Sequence, residues 1–112
     1  MSNISSLLNS IETGEFKFAD VLHFIETHYH YTPVEFRNGE VVNAAGTNEG
    51  SAKVFSLAKL HGLNQLDTLK LFAEHYESVL ATPDGSDHAN IRNFMHYGWQ
   101  GIGLEKNALS PR

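Results

Sequence analysis

Apolar residues at helical spacing, cut at short intervals by glycine, proline and asparagine, constrain this chain more than any other feature. A side chain that recurs every three or four positions can be buried only along one face of a helix, so each such segment needs a partner surface. Ile4, Leu7, Leu8 and Ile11 form one stripe between Asn3 and Thr13, with Ser2 or Asn3 placed to cap its start and Gly14 to close it. Phe18, Val21, Leu22, Ile25 and Tyr29 mark a second helix from Lys17 to about His28, ended where Thr32 precedes Pro33. A third helix, Ser51 to His61, carries apolar residues round much of its circumference, which predicts a central, buried position. Asn64 caps a fourth helix through Ala81, the longest expected, along the seam Leu66, Leu69, Ala73, Tyr76 and Leu80. Pro83-Asp84-Gly85 sets a turn, Ser86 or Asp87 caps a fifth helix to about Tyr97, and Gly98, Gly101 and Gly103 break the chain beyond it. Trp99, Tyr97, Phe94 and Met95 read as core.

One segment departs from this period. Val34 to Arg37, then Asn38-Gly39, then Glu40 to Val42 is a hairpin template, because Asn-Gly suits a turn with positive φ at both central residues. A lone hairpin is marginal in water, so it should lie against the helices. The expectation is a mainly α fold, α+β by a minor hairpin: a compact five-helix bundle with one short β-hairpin, in a single domain over residues 1–104. Glu105 to Arg112 has no periodicity and is expected to be a disordered tail.

The chain has 112 residues, 41% of them hydrophobic and 19% charged, enough apolar material for one core. A net charge of −5 with only 8 Lys and Arg supplies no basic face for phosphates or anionic lipid, so neither nucleic acid nor membrane is an expected partner. Cysteine is absent, which removes disulfides, thiolate nucleophiles and Cys-type zinc sites. That absence and the lack of a basic, apolar leader fit a cytoplasmic protein, and the Ser-rich start is compatible with a type III secretion signal.

Two polar loops carry the candidate chemistry. In the first, Asn43 to Ser51, Asn43, Asn48, Glu49 and Ser51 stand beside two glycines, and Asn48 with Ser51 has the spacing of a reciprocal helix cap. Glu49 is a candidate acid, base or ligand. Ser51 lacks the Gly-x-Ser-x-Gly setting of an activated nucleophile. In the second, Asp87 and His88 open the fifth helix, with Asn90 and Arg92 one turn on. Free N–H groups and the dipole favour an anion there, Arg92 can grip a carboxylate or phosphate, and a carboxylate beside an imidazole is the arrangement of an oriented base. The plainer alternative, and the stronger one, is that Asp87 caps the helix and Arg92 pairs with an acidic neighbour, neither having a further function. The expectation is that these two helix starts converge on one polar pocket for a small anionic or polar ligand. The alternatives are a small metal-independent enzyme with Glu49 and His88 as its acid–base pair and Asp87 as a further catalytic candidate, and a histidine-rich metal domain. Of the 7 histidines, His28 and His30 have the spacing to face one side of an extended segment, but no His-Glu-x-x-His pattern occurs. No cofactor is expected. A binding or interaction protein would instead show an exposed aromatic patch, with Tyr29 and Tyr31 as its candidates.

Several blocks point further. Tyr31-Thr32-Pro33, Phe36 to Gly39, Asn43 to Ser51, His61-Gly62-Leu63, and the long run Leu80 to Met95 followed by Gly98-Trp99 resemble the HopJ type III effector protein family over roughly Leu7 to Leu104. The resemblance implies a compact protein of Gram-negative bacteria, of a family named for a plant-pathogen effector injected into host cells. It implies no enzyme activity. Its blocks coincide with the two polar loops.

Overall fold

In the computed structural model, which describes residues 4–112, six α-helices and two small antiparallel sheets enclose one apolar core. The helices are α1 (Ile4–Glu12), α2 (Phe18–His28), α3 (Glu49–Leu60), α4 (Gln65–Lys70), α5 (Glu74–Ala81) and α6 (Ala89–Tyr97), followed by a 3-10 turn at Gly98–Gly101. The strands are β1 (Tyr29–Tyr31), β2 (Phe36–Asn38), β3 (Val41–Asn43), β4 (Ile102–Gly103) and β5 (Leu109–Pro111). The cap expected at Ser2 or Asn3 lies outside the described residues. No described helix is long and apolar enough to cross a membrane.

Helix α3 is the axis of the core. Val54 to Ala58 are all buried, as a helix surrounded on every side requires. The Phe55 ring meets Phe94 at 5.0 Å, Phe72 at 5.6 Å, Phe36 at 5.9 Å and Trp99 at 6.4 Å between centroids, mostly edge to face. Phe94 is buried and Met95 and Trp99 are partly so, whereas Tyr97, expected in the core, is exposed.

The long fourth helix is two helices. The chain breaks at Leu71 to Ala73, and Ala73 has φ 53° and ψ −123°, a conformation an L residue rarely adopts. Leu71, Phe72 and Ala73 are all buried. A helix presenting one face to the core cannot bury three consecutive side chains, so tertiary packing overrides the continuous seam. The Asn64 cap forms as the sequence suggests, its side chain accepting from the Asp67 amide at 2.8 Å.

The hairpin forms one residue out of the expected register. Asn38 pairs with Val41, so the two turn residues are Gly39 and Glu40, with positive φ at Gly39. A slip of one residue exchanges the faces of a strand. Asn38 therefore points into the core, fully buried, instead of occupying the turn. β4 joins the same sheet beside β2, and Gly39 donates to the Gly101 carbonyl at 2.9 Å. A Cβ at Gly101 would stand 2.6 Å from the Tyr97 Cβ, so this crossing of chains requires glycine.

The segment 105–112, expected as a disordered tail, contains a strand. β5 pairs antiparallel with β1, making the second sheet, and Ala108 and Leu109 are buried. The Ala108 amide donates to the buried Ser56 hydroxyl at 3.1 Å, Asn107 donates to the Ser56 carbonyl at 3.0 Å, and Lys59 donates to the Leu104 carbonyl at 3.2 Å. Satisfied backbone polar groups and two buried side chains hold a segment too short to show a period.

Candidate functional site

The starts of α3 and α6 open onto one cleft of about 320 Å3, lined by Asn43, Asn48, Gly50, Ser51, His88, Ala89, Asn90 and Ile91, with Phe18, Val41, Phe72 and His75. Both helices begin in the same unusual way. The residue preceding each, Asn48 and His88, has left-handed backbone, with φ 49° and 52°, and neither helix start has a side-chain cap. Ala73, the only other non-glycine residue with positive φ among those described, lies in sequence between the lining residues Phe72 and His75 but itself lines a different hollow, with Ile11, Phe16 and Lys70. Two of the three conformationally strained residues, Asn48 and His88, thus line one cleft. Such strain persists only where the surroundings over-determine it, and it collects at functional positions.

Four asparagines fix the cleft floor. Asn43 and Asn90 are buried and exchange amide hydrogen bonds, Asn90 Nδ2 donating to Asn43 Oδ1 at 3.1 Å and Asn43 Nδ2 to Asn90 Oδ1 at 3.3 Å. Asn38 Nδ2 donates to both the carbonyl and the Oδ1 of Asn90, at 2.8 and 3.0 Å. Asn48 Nδ2 donates to Asn43 Oδ1 at 2.6 Å, so the side chain expected to cap α3 is turned into this network. Asn48 Oδ1 and the Ser51 hydroxyl have no hydrogen-bond partner among the described residues. The network ties hairpin, loop and α6 into one rigid floor.

One side of the cleft is a run of rings. Phe72 stacks on Phe18 at 6.0 Å and 6° between planes, the Phe18 and His75 rings meet at 4.8 Å and 64°, and His75 lies 4.9 Å from His88. Among the described residues neither His75 ring nitrogen has a hydrogen-bond partner, and His88 Nε2 has Asp87 Oδ2 alone, at 4.0 Å. The break at Ala73 aims Phe72 and His75 at the cleft, and no feature of the apolar seam from Leu66 to Leu80 announces it. Phe18, Val41, Phe72 and His75 are the lining residues that lie outside the two polar loops marked by the sequence.

The remaining expected residues stand elsewhere. Arg92 is a clasp on its own loop, donating to the Thr82 carbonyl at 2.8 Å, the Thr82 hydroxyl at 3.1 Å, the Asp87 carbonyl at 2.6 Å and the Asp87 carboxylate at 2.7 Å. A guanidinium so occupied has little left for a ligand. The Arg92 hydrogen bond holds the exposed Asp87 carboxyl below the usual aspartate range. Glu49 is exposed, outside the cleft lining, and close to Tyr31. Burial first, and the Glu49 carboxylate second, push the Tyr31 hydroxyl up to about 12. That hydroxyl is buried without a hydrogen bond of good geometry, and Lys53 Nζ lies 4.6 Å over the ring. Glu49 and His88 share no hydrogen bond or ion pair.

The other histidine and tyrosine candidates are similarly engaged in structure. His28 packs on Phe24 at 4.6 Å, and His30 Nδ1 faces the Arg112 guanidinium at 3.3 Å, a cation where a metal ion would have to sit. Among the described residues no three His, Cys, Asp or Glu are grouped to hold a metal ion. Tyr29 is buried, its hydroxyl 2.9 Å from His61 Nε2, so Tyr29 and Tyr31 make no exposed aromatic patch.

None of the cleft-lining residues is Asp, Glu, Lys or Arg. The arrangement offers hydrogen bonds from amides, a hydroxyl and imidazoles against apolar walls, which suits binding more directly than proton transfer between a carboxylate and an imidazole.

A profile of the HopJ type III effector protein family matches residues 4–109. A solved structure described as "Crystal structure of unknown function protein VPA0580" is similar along nearly its whole length, with a TM-score of 0.89, 37% identity, and coverage of 99% of this chain and 95% of that one. No curated protein matches. With the match extending from α1 to β5 and taking in both loops of the cleft, the chain belongs to the HopJ type III effector protein family.

Proposed function

We propose that this protein is a small binding domain whose cleft between the starts of α3 and α6 takes a small polar or anionic ligand. The observation that carries the reading is that the left-handed, non-glycine residues Asn48 and His88, each opening a helix, line one concavity. Two further features support it: both helix starts have no side-chain cap, and Asn48, Ser51, His75 and His88 keep free hydrogen-bonding capacity over a rigid asparagine floor. Asn43 and Asn90 act in this reading as the floor and not as ligand contacts, while Arg92 and Asp87 hold the loop that carries His88. Glu49, close to Tyr31, has no part in it. The family's description adds delivery by a type III system to the proposal, with the ligand or a host protein as partner.

Titration with acetate, phosphate and acetamide, followed through backbone amide NMR shifts, tests the reading. Saturable shifts confined to Asn48–Ser51, His75 and His88–Ile91 are expected with at least one probe. No response in these segments at millimolar probe overturns it.

A further inference from the structure

The run Phe72, Phe18, His75, His88 bears on what the cleft accepts. Each ring touches the next, and all four line the same cavity. His75 and His88 are the half-exposed end of the run, whereas Phe72 is buried. The cavity is close to the low end of the size range for small-molecule pockets, about 300–1,000 Å3. Val41 and Ile91 add aliphatic surface, and the spare polar atoms are Asn48 Oδ1, the Ser51 hydroxyl and the imidazole nitrogens. No charged side chain stands in the lining to neutralise a multiply charged group.

From this we infer that the ligand is a small aromatic molecule bearing one hydrogen-bonding polar group, whose ring extends the run of protein rings. The inference rests on the cleft being a binding site, as proposed above, and narrows its chemistry. Ring-on-ring contact contributes about 0.5–1.5 kcal/mol beyond simple burial, so an aromatic probe should bind roughly two- to tenfold more tightly than a saturated ring of the same size and polar group. A di- or triphosphate meets no cationic side chain there.

Benzamide, cyclohexanecarboxamide and inorganic phosphate, each titrated into the 15N-labelled protein, test the inference. Benzamide is expected to shift the amides of Gly50, Ser51, His75 and Ala89, with the saturated analogue binding at least twofold more weakly and phosphate producing little change. Phe18→Leu keeps apolar bulk but removes the central ring, and its thermal melt checks folding. In a folded variant benzamide should lose its advantage over the saturated analogue. Equal binding of the two carboxamides to the wild type, or a response to phosphate alone, overturns the aromatic class and leaves the cleft reading standing. An unchanged benzamide preference in folded Phe18→Leu also overturns it. Silence with all three probes removes both.

Discussion

Asn90 offers the sharpest test of how the cleft is held. Its Oδ1 accepts from Asn38 at 3.0 Å and Asn43 at 3.3 Å, and its Nδ2 donates to Asn43 Oδ1 at 3.1 Å, all within buried structure. In Asn90→Ala these three bonds go. Asn38 Nδ2 keeps the Asn90 carbonyl at 2.8 Å and Asn43 Oδ1 keeps Asn48 at 2.6 Å, but Asn43 Nδ2 is left with a 3.5 Å contact to the Phe36 carbonyl. At about 1 kcal/mol net for each bond, with one donor nearly orphaned, the loss is roughly 2–4 kcal/mol. Asn90→Asp separates the roles. One carboxylate oxygen can still accept from Asn38 and Asn43, but the other faces Asn43 Oδ1, so the ionised form of this variant sets acceptor against acceptor in a buried place. Protonation restores a donor, which raises the folded-state pKa of the introduced carboxyl above the unfolded value of about 3.9. A raised pKa means that the stability is present below the unfolded value and lost as pH rises through the folded one. Urea unfolding followed by the fluorescence of Trp99, the only tryptophan, should therefore show Asn90→Asp close to wild type near pH 4 and about 2–4 kcal/mol weaker near pH 7. A deficit that stays constant with pH, or none at neutral pH, would refute the assigned direction of the Asn43–Asn90 bonds.

The same structure sets other outcomes. Ala73→Gly should change stability by no more than about 1 kcal/mol, relief of strain offsetting the lost methyl, whereas Ala73→Val should cost about 2–4 kcal/mol, both read by thermal melting. Leu109→Ala should cost about 2–3 kcal/mol in denaturant and speed amide exchange in β1, since Leu109 is buried on the strand that pairs with it. In an ultraviolet titration one of the 4 tyrosines, Tyr31, should ionise only near pH 12, and Tyr31→Phe should remove that late step. Because the Asp87 pKa is lowered by Arg92, its contribution is present above the unfolded aspartate range and fades as pH falls through the lowered value. Protection of the amides in 82–88, relative to their intrinsic exchange rates at each pH, should fall in acid, and Arg92→Ala should produce the same loss of protection at neutral pH.

Period and punctuation in the sequence determined most of the helices, the buried axis at α3, the Asn64 cap and the two polar loops as places to look. These are local matters, since a stripe of apolar residues and the residues that stop it lie within a few turns of each other. Tertiary structure decided what distant partners impose. The helix breaks at Ala73 because the core takes three consecutive side chains there. The hairpin slips by one residue because Asn38 finds Asn90 and β2 finds β4. Residues 109–111 become a strand because Tyr29 to Tyr31 offers an open edge and Ser56 a buried hydroxyl. The cleft divides the same way: Asn48, Ser51 and His88 were visible as loop residues, but His75 came to face His88 only through the break at Ala73. Arg92 and Asp87 were drawn into their own loop because nearby carbonyls and a carboxylate satisfied the guanidinium first. A single chain displays its own donors and periods, whereas the choice among competing long-range partners is made by packing.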